Sequence, residues 1–273
     1  MKKPLLLLLL LIQFAAVLSA HTYIVAVGLS TYSDTTVPKL ERAFGDARRF
    51  YDTISRHQGC SGVLISSRYG TTRNIQQKLD SVCALATEND DIMFYFSGHG
   101  FPGMLITYDG IQTGENITYT YLRERLGGCR ARNKYCFVDA CYSGSTAEEY
   151  TKGQPSATDG IFYFMSSSKG ETSLESTLYD NGFFTQALVA GLKGMADGDR
   201  NRQLTVHELF TYCYKRVTQM STRYIRDDQG NITDSIVKQH PQLVGPLARI
   251  DNTNIFTWPK TAGRTPKTPA PKK

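Results

Sequence analysis

The sequence predicts an α/β domain in which a mostly parallel six-stranded sheet is flanked by helices. Short runs rich in β-branched and aromatic residues alternate along the chain with longer amphipathic stretches, the order that a parallel sheet with crossover helices requires. The 273 residues, 41% hydrophobic and 21% charged, supply one sizeable core rather than two.

Ahead of the first strand, Met1-Lys2-Lys3 leads into an apolar run from Leu5 to Leu18, broken only by Gln13 and closed by Ser19 and Ala20. This is the order of a secretory signal peptide, expected over residues 1–20. The competing reading is a retained anchor, but the run is shorter than the roughly 20 apolar residues of a spanning helix, and a strand begins at Tyr23. The expected product is secreted or periplasmic, with no membrane contact after cleavage.

Main strands are expected at 23–28, 62–66, 91–97, 134–139 and 161–166, with a late sixth within 243–250. Helix 40–57 follows from Leu40, Phe44, Ala47, Phe50, Tyr51 and Ile54 at helical spacing, and helix 71–86 from Ile75, Leu79, Val82 and Leu85 behind opening threonines. Further helices are expected at 119–126, 183–192 and 206–220. The turn Phe101-Pro102-Gly103 should start a short strand at 103–108, forming a hairpin beside the third main strand. The folded domain is placed at 21–255, and the Pro-, Thr- and Lys-rich 256–273 is expected to be a disordered basic tail.

Formal charge is +6, but the tail carries several basic residues with no acid, so the body is nearly neutral. No basic stripe interleaves with aromatics, which argues against nucleic-acid binding. The six cysteines show no Cys-x-x-Cys spacing of a metal or redox site. Export permits a disulfide, and with Cys141 set aside Cys129 and Cys136 are the closest pair in sequence. If Cys141 stays a thiol, at least one other cysteine is unpaired within the chain.

In an open α/β sheet reactive groups sit at the carboxyl ends of strands. Two ends here are chemically unusual. Asp91 to Ser97 runs directly into Gly98-His99-Gly100, and Lys134 to Asp139 delivers Ala140-Cys141. A thiolate nucleophile needs an imidazole to exchange its proton, and the flanking glycines let a substrate backbone approach. The amides of Gly100 and Cys141 could then bind an oxyanion. Taken singly, a cysteine at a strand end is more often a small buried hydrophobe, and a histidine between glycines a turn residue.

Together, Ser97-Gly98-His99-Gly100 and Asp139-Ala140-Cys141-Tyr142-Ser143-Gly144 resemble the histidine and cysteine motifs of the caspase, metacaspase and paracaspase superfamily, the cysteine motif in its metacaspase-like form. Leu40 to Ala47 is similar to the metacaspase segment ending Asn-Asp-Ala, with Gly45 in place of the asparagine. Ser166 to Glu175 resembles the strand and loop that follow the cysteine, and Asn181 to Gly194 is similar to a helix segment of bacterial caspase-like proteins, so the likeness spans roughly 23–250. The resemblance implies a caspase-like fold and a cysteine endopeptidase acting on proteins or peptides. His99 would be the general acid/base, Cys141 the nucleophile, and Gly100 and Cys141 the oxyanion donors. The positions lining the S1 pocket in metacaspases fall on Asp46 and Asp139. Two carboxylates there would favour Arg or Lys at P1, since a desolvated cation needs a paired anion. Their plain alternatives are a solvated helix residue and a strand-end cap.

Asp197 to Glu208 carries the oxygen ligands of an EF-hand loop: Asp197, Asp199, Asn201, the Gln203 carbonyl, Thr205 through water, and Glu208. Calcium is therefore a candidate ligand, though no cofactor is required for catalysis. Arg202 stands where the pattern has glycine, and Gly191 to Ala196 makes a poor entering helix. Lys152, in a polar segment soon after Cys141, is a candidate autocleavage point. A catalytically silent binding protein of the same fold, and a legumain-like or transamidase relative, are the competing readings. Oligomeric state is left open.

Overall fold

A computed structural model describes residues 20–141, 160–168, 171 and 182–258. In chain order its strands are β1 (Thr22–Gly28), β2 (Cys60–Ser66), β3 (Asp91–Ser97), β4 (Gly100–Phe101), β5 (Met104–Leu105), β6 (Ile117–Thr118), β7 (Asn133–Asp139), β8 (Ile161–Met165), β9 (Gln203–Thr205), β10 (Thr222–Arg226), β11 (Ile232–Val237), β12 (Gln242–Val244) and β13 (Asn254–Thr257). The helices are α1 (Ala43–Ile54), α2 (Thr72–Leu85), α3 (Gly110–Thr113), α4 (Tyr119–Gly127), α5 (Phe183–Ala190) and α6 (Val206–Ser221).

The main sheet has the order β12-β8-β7-β3-β1-β2. All its pairings are parallel except β12 on β8. Every residue of β3 and β7 is buried, as expected of strands covered on both faces. On one face α2 and α4 pack Ile75, Leu79, Leu122 and Leu126 against Val25, Val27, Phe94, Phe96 and Val138. On the other, α1, α5 and α6 bring Phe50, Ile54, Leu188 and Leu209 to Ile24, Tyr95, Tyr135 and Phe137. Gly28 permits the α1 contact: a Cβ there would lie 2.5 Å from the Ala43 carbonyl and 2.7 Å from the Ala47 Cβ. That close approach lays the first turn of α1, with Asp46, over the tips of the strands.

Several expectations need correction. Leu40, Glu41 and Arg42 precede α1 rather than joining it. The strand expected at 103–108 shrinks to β5, which pairs with β4 and β6 in a separate three-stranded sheet instead of lying beside β3. Of 243–250, only Leu243 and Val244 belong to β12, and Leu247–Arg249 is a 3-10 turn. The exposed hairpin of β10 and β11 was not foreseen. Ordered structure also runs past residue 255: Phe256 pairs with Leu204 and Trp258 packs on the core.

The disulfide joins Cys83 to Cys129, with Cα atoms 5.2 Å apart, not Cys129 to Cys136. Cys136 lies mid-strand in β7 and faces the core, whereas Cys83 in α2 and Cys129 just beyond α4 meet because those helices share one face. Cys60, Cys136, Cys141 and Cys213 are free thiols.

Among the described residues, no helix is long and apolar enough to cross a membrane. Residues 1–19, most of the proposed signal segment, and 259–273 lie outside the described residues.

Candidate active site

Strand register builds the site. In the β3/β7 pair Ser97 stands opposite Asp139, and Gly98 N–H donates to the Asp139 carbonyl at 3.3 Å. Two residues further along each strand come His99 and Cys141. A Cβ on Gly100 would lie 2.7 Å from the Cys141 carbonyl and 3.2 Å from the Ala140 Cβ, so only glycine lets the two tips approach this closely. Leu40, Asp46, Ser97, Gly98, His99, Asp139, Ala140, Cys141 and Gly182 surround one cavity of about 80 Å³.

The histidine is held at two points. Its backbone N–H donates to the Tyr32 hydroxyl at 2.7 Å, whose phenol is pushed far up by burial. Its Nε2 lies 2.8 Å from the Pro38 carbonyl. A carbonyl only accepts, so Nε2 carries the proton and Nδ1 is left to exchange one with a neighbour. Pro38 thus orients the imidazole through backbone alone, which no residue pattern announces.

The strand that presents Cys141 is fixed from the opposite side by Ser166, fully buried just beyond β8. Its N–H donates to the Val138 carbonyl at 2.9 Å, and its Oγ accepts from Ala140 N–H at 3.3 Å, extending the ladder by one residue. Near the histidine, the Ile106 N–H to His99 carbonyl bond of 3.0 Å makes Gly100 and Leu105 a non-hydrogen-bonded pair. The Gly100 N–H is therefore directed away from β5.

Asp46 and Asp139 are 2% and 6% exposed, and they converge. A Cβ on Gly182 would lie 2.9 Å from Asp139 Oδ2 and 3.4 Å from Asp46 Oδ2. Gly182 N–H donates to Asp46 at 3.3 Å. Thr185, in the first turn of α5, gives Asp139 Oδ2 its backbone N–H at 3.3 Å and its hydroxyl at 2.7 Å. Because that hydroxyl proton is committed to the carboxylate, the Tyr95 O–H, 2.5 Å from Thr185 Oγ1, must be the donor in the next link. Burial above all, then the charges of Asp46 and Asp139, raise the Tyr95 phenol well above its ordinary range and keep it protonated. Donors beneath both acids lower the cost of burying them, without which a carboxylate at this depth would take up a proton.

The acidic loop lies elsewhere. β9, inside it, pairs with β13, whose residues adjoin Asp91 and Asn133 at the amino ends of β3 and β7. One oxygen each of Asp197, Asp199 and Glu208 falls within 4.8 Å of the others. Arg202 N–H donates to Asp197 Oδ2 at 3.0 Å, Asn201 N–H to Asp199 at 3.0 Å and Gln203 N–H to Asn201 at 2.7 Å. Thr205 and Glu208 form a capping box at the start of α6. Arg202 takes the left-handed conformation that glycine would otherwise supply, with φ 69°. Lys152 lies outside the described residues.

Cysteine and histidine thus stand at neighbouring tips of a parallel sheet, around one cavity that two buried carboxylates also line. The sequence pattern of the caspase domain matches residues 22–249, and the chain belongs to that family, whose membership supports a cysteine peptidase-like function in general terms. Among solved structures it is similar to a protein of Geobacter sulfurreducens, at 13% identity and a TM-score of 0.58, covering 82% of this chain and 92% of that one. That likeness concerns the fold alone. No curated protein matches the sequence.

Proposed function

We propose that the chain is an exported cysteine endopeptidase that cleaves after arginine or lysine. The observation that carries this reading is the meeting of His99, Cys141 and two buried carboxylates around one cavity. His99 Nδ1 takes the Cys141 thiol proton, the thiolate adds to the scissile carbonyl, and the Gly100 and Cys141 amides bind the resulting oxyanion. Collapse breaks the C–N bond as the imidazolium returns its proton to the leaving amine. Water then hydrolyses the thioester, with the same imidazole as base. Asp46 and Asp139 bind the P1 cation, for which two desolvated anions are a matched partner.

A peptide library varied at P1 tests this. Turnover confined to Arg and Lys is expected. Preference for Asn, or ligated products, would indicate the legumain-like or transamidase alternative, and an absence of turnover the silent binding fold.

We also propose that loop 197–208 binds calcium as a structural ion, on the strength of Asp197 Oδ1, which is shielded from solvent and has no hydrogen-bond partner among the described residues. The single tryptophan, Trp258, is tied to the loop and reports on it: its backbone N–H donates to the Arg202 carbonyl at 2.9 Å. Calcium is expected to shift Trp258 fluorescence and raise the melting temperature, by about 2.7 kcal/mol of stability at a hundred times Kd. Asp197→Asn should remove both responses. No response at millimolar calcium would refute the site.

A further inference from the structure

We infer that a second groove, over the tips of β1 and β2, binds the carboxyl-terminal segment of substrate, which leaves with a new amino terminus. It encloses about 580 Å³ and is lined by Ser30, Thr31, Glu41, Phe44, Arg68 and Tyr108, within the size range of binding clefts. It stands at the carboxyl ends of parallel strands, where an open α/β sheet receives ligands.

Two arguments connect it to the catalytic cavity. The first is continuity. Leu40 and Asp46 face the cavity, while their immediate neighbours Glu41 and Gly45 face the groove. One short stretch of chain is therefore the common rim. The loop before it is fastened at both ends, by the bond of His99 Nε2 to Pro38 at 2.8 Å and by Phe44 N–H donating to Ser30 Oγ at 3.1 Å. Thr31 N–H donates to Ser67 Oγ at 3.2 Å, which ties the two walls of the groove together.

The second is direction, and it rests on the peptidase reading above. The leaving amine must receive a proton from His99, so the leaving segment departs on the histidine side of Cys141. The strand order places β3, with His99, between β7, with Cys141, and the pair β1 and β2. Strands lie about 4.8 Å apart, which puts the tip of β1 roughly 10 Å from that of β7. An extended chain advances about 3.3 Å per residue, so the second to fourth residues beyond the cut lie over the groove. Its two exposed charges differ in sign. Arg68, stacked at 4.8 Å on the ring of Tyr69, suits an acidic or carbonyl-rich segment at the outer end, and Glu41 a basic group near the rim.

Two substrates with the same acyl half separate this site from the rest: a peptide continuing four residues beyond the P1 residue preferred by the full-length enzyme, and the corresponding aminocoumarin amide, which has no residue beyond the cut. Gly45→Trp fills the groove, since a Cβ at Gly45 meets nothing within 4 Å. Arg68→Ala removes a contact without adding bulk. For both variants kcat/KM on the extended peptide is expected to fall about tenfold relative to the amide, the loss of one or two polar contacts. Turnover of the amide in the same preparations shows that the variants are folded. A fall by the same factor on both substrates, or on neither, overturns the groove assignment and leaves the peptidase reading standing. If wild-type protein cleaves neither, or Cys141→Ala still cleaves both, the two fall together.

Discussion

Cys141→Ala is expected to lower kcat/KM on an Arg-P1 peptide by about 10⁴-fold or more, because it removes the sulfur that forms the acyl bond. The residue is half-buried at the end of β7, and the strand before it is held by its own ladder and by Ser166. The variant should therefore fold and melt as the parent does. His99→Ala is expected to lose a comparable amount, and the double variant no more than either alone, since a nucleophile and its proton acceptor act as a unit. Single-turnover kinetics with active-site titration measure this. Activity that survives in Cys141→Ala would sink the dyad, and additive losses would show that His99 does not serve the thiol.

Asp139→Asn should reduce kcat/KM for Arg and Lys substrates by about 10²-fold, from removal of one buried partner of a desolvated cation. The substitution is chosen to keep the scaffold. The amide oxygen can still accept from Thr185 N–H and Oγ–H, so the chain from Tyr95 through Thr185 persists. Stability should not fall. A thermal melt alongside the kinetics checks both halves: an unchanged or higher melting temperature with a selective loss on cationic substrates is expected. An equal loss on neutral substrates would mean that Asp139 serves the catalytic centre rather than specificity.

Much of the fold is legible in the chain. β3 and β7 are buried on both faces, so their central residues, Ile92 to Phe96 and Tyr135 to Val138, form continuous apolar or aromatic runs. α2 carries its own N-cap, with Thr71 accepting from Asn74 N–H. Where the chain is locally ambiguous the expectation failed. β5 is two residues of a side sheet because its partners are β4 and β6, and nothing nearby in sequence specifies that pairing. Proximity suggested Cys129 with Cys136, yet Cys136 is fixed mid-strand in β7, and the packing of α2 beside α4 brings Cys83 to Cys129 instead.

The sequence alone singled out His99 and Cys141 as candidates and put them at strand ends, because each directly follows an apolar run and the two motifs together resemble those of one family. It also marked Asp46 and Asp139 through likeness to a family. Only the tertiary structure decided that these four groups share one cavity. That depends on the register of β3 on β7, on the close seat of α1 against Gly28, and on α5 returning with Gly182 and Thr185 beneath the two acids. The Pro38 carbonyl that aims His99 belongs to the same class. Local periodicity records whether a residue is buried, whereas the partner it is buried against is set by packing between segments far apart in the chain, and a backbone carbonyl has no letter of its own.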